Sequence, residues 1–190
     1  LPVEGIIRKT VFDHFCGGVS EQDCLQVVAK MYTKGVSSVL DYSVEGKETE
    51  EQFDIVKATT LKNIEFAKEK DAIPFVVFKP TGVGRFSLYQ KITEKKSLSN
   101  EEKSEWITVM NRYYEICDKA IKYDIPILID AEESWMQDAA DVLVEGLMEK
   151  YNVNKAIVFN TLQMYRHDRM EYLKALHDKA LKGNYNIGLK

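Results

Sequence analysis

The feature that most constrains this chain is a short apolar run, Ile127-Leu128-Ile129, entered through Ile125-Pro126 and delivered straight into Asp130-Ala131-Glu132-Glu133. Three consecutive aliphatic residues, two of them β-branched, read as a strand buried on both faces. Such a strand belongs in a parallel sheet covered by helices. Acids at its C-terminal end stand where an α/β barrel carries its active site. A structural assignment competes for the same acids: Asp130 caps the next helix, and Glu132 and Glu133 favour its N-terminal dipole.

The pattern recurs along the chain. Strands are expected over 37–43, 75–78, 127–129 and 156–159, and 185–190 begins a fifth. Helices are expected between them, over 49–70, from 99 through at least 121, over 134–151 and over 167–182. The first of these carries Phe53, Val56, Thr60, Leu61, Ile64 and Ala67 as its buried stripe. Ser99 and Glu102 have capping-box spacing, and Gly183 is expected to stop the last helix. A further helix over 20–34 starts at Ser20 and closes at Gly35. The segment 83–98, with Arg85, Tyr89, Lys95 and Lys96, reads as an irregular insertion.

Alternating strands and helices imply a parallel sheet with right-handed crossovers. An open doubly wound sheet holding a nucleotide would show a glycine-rich loop after its first strand, but Ser43-Val44-Glu45-Gly46 stands there instead. Polar residues close each complete strand: Asp41, Lys79, Asp130 and Asn160. A lysine leaving an apolar strand is either exposed or paired, and Asp41 is an available counter-ion for Lys79. The expected fold is therefore α/β, of the (βα)8 TIM-barrel type. It is incomplete here, with about four βα units and the start of strand 5. Residues 1–34 form an N-terminal segment and helix, and 35–190 form the first half of the barrel.

Composition narrows the function classes. A chain of 190 residues that is 45% hydrophobic, with four prolines, can bury a core and is not disordered. Its charge of −4, from 30 acids and 26 bases well mixed along the chain, leaves no basic stripe, so no nucleic-acid partner is expected. No apolar run reaches membrane-span length and no signal-peptide pattern is present, so a cytoplasmic protein is expected. Cys16, Cys24 and Cys117 are odd in number without C-x-x-C spacing, which favours free thiols. His14, beside Cys16, reads as packing, and His167 and His177 as surface residues.

Four stretches carry a resemblance. Leu40-Asp41-Tyr42-Ser43-Val44-Glu45-Gly46, Phe78-Lys79-Pro80-Thr81, Leu128-Ile129-Asp130-Ala131-Glu132-Glu133 and Val158-Phe159-Asn160-Thr161-Leu162-Gln163 resemble proline dehydrogenase in order and spacing. The acidic third stretch is the most specific. The resemblance runs over nearly the whole chain and covers about the N-terminal half of that family's (βα)8 barrel. It implies an FAD-dependent oxidation of L-proline to Δ1-pyrroline-5-carboxylate, with electrons passed to a membrane quinone. Lys79 would lie near the bound proline, paired with an acid such as Asp41, and Asp130 would stand beside flavin and substrate. Ala131 and Val158 would contact the flavin. Asn160 takes a place where relatives carry glutamine and would offer an amide to the isoalloxazine ring, with Gln163 a second amide. Lys190 falls where strand 5 carries a basic residue next to the flavin. The resemblance also implies that a chain without the later strands is inactive by itself, and that a eukaryotic member would be mitochondrial.

Two other readings remain open at this stage. The Asp130, Glu132 and Glu133 cluster could hold Mg²⁺ in a metal-dependent barrel, although alternation along an extended segment lets at most two of them share an ion. Alternatively the chain is a non-catalytic α/β unit, which predicts no bound chromophore.

Overall fold

The computed structural model describes residues 3–12, 16–41 and 48–190. Four strands form one parallel sheet in the order β1-β2-β3-β4: β1 (Val39–Leu40), β2 (Phe75–Phe78), β3 (Ile127–Ile129) and β4 (Val158–Asn160). Val39 pairs with Phe75, Val76 with Ile127, and Ile127 with Val158. A parallel bridge from Asn160 to Leu189 begins a fifth strand on the far side of β4. Each strand is laid beside its predecessor without reversal, which is the order of a barrel wall rather than of a doubly wound sheet.

The helices are α1 (Val3–Ile7), α2 (Glu21–Tyr32), α3 (Glu50–Ala67), α4 (Phe86–Thr93), α5 (Asn100–Tyr123), α6 (Ser134–Tyr151) and α7 (Arg169–Gly183). Local chemistry sets their ends. Ser20 accepts from Asp23 N, Thr49 accepts from Gln52 N, and Ser99 with Glu102 completes both halves of a capping box. Gly35 takes a φ of +74° behind α2, where its N–H returns to the Tyr32 carbonyl. No helix among the described residues is long and apolar enough to cross a membrane.

Alternate strand residues feed one core. Val76, Phe78, Ile127, Ile129 and Val158 are buried with Ile64, Tyr113, Ile116, Met136 and Val144 of the helices. The Phe78 and Tyr113 rings meet edge to face at 5.1 Å. On the opposite face the rings of Phe75 and Phe159, two strands apart, meet at 5.8 Å. Side chains converge there over β3, so this face is the concave one.

Three expectations are corrected. The first strand, expected over 37–43, pairs at Val39–Leu40 alone among the described residues, and 42–47 lie outside them, as does His14. The segment 83–98 is not irregular. Leu88, Tyr89 and Ile92 share one face of α4; the Tyr89 ring meets Trp106 of α5 edge to face at 5.2 Å, and at the end of the helix Ala139 N of α6 donates to Thr93 Oγ1 at 3.0 Å. Gly183 does not stop the last helix. Asn184, at a φ of +53°, closes it, and the missing Cβ of Gly183 instead makes room for the Tyr185 ring.

Candidate functional site at the mouth of the sheet

Strand alternation decides which side chains face the concave side. Phe78, Ile129 and Asn160 are buried and stand in register on the helix side. The residue after each of the first two, Lys79 and Asp130, therefore faces the concavity. Asp41 follows Leu40 on β1 in the same sense, and Lys190 follows Leu189 beside β4. The result is a row of alternating charge across the C-terminal ends of the strands: Asp41, Lys79, Asp130, Lys190. Lys79 Nζ lies 3.1 Å from Asp41 Oδ2, and Lys190 Nζ pairs with Asp130 Oδ1. All four side chains are between 21% and 46% exposed, so each pair can still turn a face to a ligand. Below the row, Leu128 and Phe159 are half-buried and supply an apolar floor.

The turn after Lys79 is held from several sides. Tyr89 OH donates to the Pro80 carbonyl at 3.2 Å and stands 3.0 Å from Tyr113 OH. Burial raises both phenols well above the ordinary tyrosine range, so they stay protonated as fixed hydroxyls. Arg112 Nη1 donates to the Val83 carbonyl at 3.2 Å. Glu132 reaches across from β3, its carboxylate accepting from Thr81 N at 2.8 Å and from Thr81 Oγ1 at 2.6 Å. Burial raises the Glu132 pKa, while the two bonds from Thr81 and the Lys79 ammonium hold it down.

Glu132 is itself anchored. Its N–H donates to Gln137 Oε1 at 2.9 Å, and its carbonyl accepts from Gln163 Nε2 at 2.7 Å. Gln137 continues to Asp141 Oδ1 at 2.8 Å, where Asn160 Nδ2 also donates at 2.9 Å. Asp141 Oδ2 accepts from Arg169 Nη1 at 2.6 Å, and both residues of that ion pair are buried. A continuous set of hydrogen bonds thus runs from the helix layer to the turn beside Lys79.

The structure brings together Asp41, Lys79, Asp130 and Lys190, with Ala131 half-buried just beyond the row and Gln163 at its rim. It does not bring Val158 or the Asn160 amide there. Val158 is fully buried on the helix side, and the Asn160 amide is spent on Asp141, with Tyr172 OH at 3.4 Å. The capping assignment for Asp130 is overturned, because Glu133 occupies the N-cap position of α6 without a side-chain bond. The three acids also diverge: Asp130 turns to Lys190, Glu132 turns to Thr81, and Glu133 is exposed. Among the described residues no group of three His, Cys, Asp or Glu is placed to hold a metal ion. Sequence reasoning missed the Glu132 bond to Thr81 and the buried pair of Asp141 and Arg169. The available signal was polar residues at buried helical positions, Gln137 and Asp141 being four apart on one face of α6.

Comparison with known proteins follows the same line. The family described as proline dehydrogenase matches residues 24–190. The chain is 30% identical over 187 residues to the carbapenem antibiotics biosynthesis protein CarD of Pectobacterium carotovorum subsp. carotovorum, covering 98% of this chain and 50% of that protein. It is 27% identical over 228 residues to proline dehydrogenase 1, mitochondrial, of Arabidopsis thaliana, covering 99% and 46%. The chain thus spans about half the length of the curated relatives it matches. Among solved structures, proline utilization A from Bdellovibrio bacteriovorus, inactivated by N-propargylglycine, superposes with a TM-score of 0.78 at 17% identity, covering 99% of this chain and 21% of that one. That likeness establishes the fold.

Proposed function

The chain belongs to the proline dehydrogenase family, and from that premise we propose that the protein carrying it oxidises L-proline to Δ1-pyrroline-5-carboxylate with FAD and passes the electrons to a quinone. The observation that carries this reading is the row Asp41, Lys79, Asp130, Lys190 on the concave face. Proline is a zwitterion, and a row of alternating charge offers it anions for the ammonium and a cation for the carboxylate. The reaction removes the hydrogen on the carbon next to nitrogen with its electron pair, and a proton from nitrogen, leaving a cyclic imine. The nitrogen must give up its extra proton first. Lys79, held 3.1 Å from Asp41, keeps that corner from being purely anionic and so favours the neutral amine.

The donor set fits a flavin. Leu128 and Phe159 provide an apolar floor, and the Lys190 ammonium has three hydrogens, of which Asp130 engages one. A bound flavin would accept the hydride and become electron-rich along one edge. Lys190 and Asp130 set the charge at the place assigned to that edge, with Ala131 and Gln163 bordering it. A preorganised cation there stabilises the charge as it develops. Val158 and Asn160 support the strand from behind. With a lipid-soluble acceptor the protein works against a membrane surface, cytoplasmic in a bacterium and mitochondrial in a eukaryote.

The test is proline-dependent reduction of an added quinone analogue by the purified native protein, compared with Lys79→Met. The wild type should turn over, and the variant should lose about a hundredfold in kcat, the usual cost of removing one preorganised charged group. A wild-type protein without proline-dependent reduction, or a variant with unchanged kcat, overturns the proposal.

A further inference from the structure

We infer that Glu132 is a positioning residue, whose carboxylate clasps the turn after β2 and thereby fixes the Lys79 ammonium in the charged row. This rests on the reading of that row as the proline site. Three observations carry it.

The first is the two-point grip. Thr81 offers both its N–H and its hydroxyl, at 2.8 and 2.6 Å, to the two oxygens of one carboxylate fifty-one residues away. Bonds to an ionised acceptor are the short, strong class, and a two-point grip sets orientation as well as distance. Only Pro80 separates Thr81 from Lys79, and the fixed φ of proline transmits the position of the turn to the lysine with little slack.

The second is that the Glu132 backbone, from which the carboxylate springs, is anchored. Gln137 and Gln163 hold its N–H and its carbonyl at 2.9 and 2.7 Å. Gln137 is in turn fixed by Asp141 within the buried network. An acid serving only the α6 dipole would need none of this.

The third is cost. Burial pushes the Glu132 pKa up, with the neighbouring Glu133 charge adding to it and only Thr81 and Lys79 opposing. Asp130, one strand position before Ala131, is committed to Lys190. A carboxylate held partly desolvated beside another acid is maintained against an electrostatic penalty, which is a recurring sign of a site built for use.

The consequence is specific. Without the clasp, the turn that carries Lys79 loses one of its restraints while Tyr89 still holds Pro80. The chain stays folded and Lys79 drifts. Displacement of a reacting group by about 1 Å costs on the order of a hundredfold in rate.

The experiment compares Glu132→Ala, Glu132→Gln and wild type in the full native protein, with two readouts. The first needs no activity: the Thr81 amide signal in ¹⁵N-resolved NMR. In wild type it should lie downfield and titrate with a carboxyl group. In Glu132→Ala it should move upfield and cease to titrate. The second is steady-state turnover of proline. Glu132→Ala should lose ten- to a hundredfold in kcat while remaining folded by circular dichroism at the assay temperature. Glu132→Gln, which still accepts from the Thr81 N–H and can donate to its hydroxyl, should recover most of that loss. A Thr81 amide indifferent to both substitutions overturns the clasp. A kcat unchanged in Glu132→Ala, in a wild type that does oxidise proline, overturns the positioning role. If the wild type fails to oxidise proline while the amide behaves as described, the functional reading falls and the clasp stands.

Discussion

Replacing Asp141 by alanine isolates the buried network behind the site. Asp141 and Arg169 expose 4% and 5% of their side chains, with Nη1 and Oδ2 2.6 Å apart. Removing the acid strands a buried guanidinium nitrogen and deprives the Gln137 and Asn160 amides of their shared acceptor. Breaking one side of a buried ion pair costs about 3–5 kcal/mol. Here Arg169 keeps a second carboxylate, the half-exposed Asp168, which also pairs with Arg166. That residual partner places the expected loss at the low end, about 3 kcal/mol. The control is Asp138→Ala. It lies on the same helix, faces the same arginine at 4.0 Å, and is 63% exposed, so it should cost less than about 1 kcal/mol. Urea denaturation of the native protein, followed by circular dichroism, measures both. With m-values of about 1–3 kcal/mol per molar, Asp141→Ala should lower the midpoint by about 1–3 M. A loss below about 1 kcal/mol, or equal losses at the two positions, would show that burial does not govern the strength of this pair.

The cysteines should separate by burial. Cys117 is buried in the core and its thiol pKa is pushed well above the ordinary range, so a thiol reagent should leave it untouched until the protein unfolds. Exposed Cys16 should react at once in the same titration. Gly35→Ala should cost about 1–2 kcal/mol in thermal unfolding. Its φ of +74° strains any residue with a Cβ, while nothing within 4 Å would clash with one.

The strands were legible because β-branched and aromatic runs cannot hide in this chain, and Phe75–Phe78 and Ile127–Ile129 form where they are written. Helix starts were legible because Ser20, Thr49 and Ser99 carry their own caps. The polar residue closing each strand also marked Asp41, Lys79 and Asp130, along with Asn160, as candidates for one mouth before any geometry was known. What failed was context. The eight residues of α4 are too few to declare a helical period, and that helix exists because α5 and α6 together offer its apolar residues a place to bury. Asn160 has the composition of a ligand-binding amide. Only the positions of Asp141 and Tyr172 show it to be spent on the helix side. The pairing of Arg169 with Asp141 spans twenty-eight residues and leaves no local pattern.

The most direct measurement is the visible absorption spectrum of the native protein during anaerobic titration with L-proline. Flavin bands that bleach with proline, and fail to bleach in Lys79→Met at the same proline concentrations, are the expected result. A protein without flavin bands, or with bands that proline leaves unchanged, would contradict the assignment of the Asp41, Lys79, Asp130 and Lys190 row to proline oxidation.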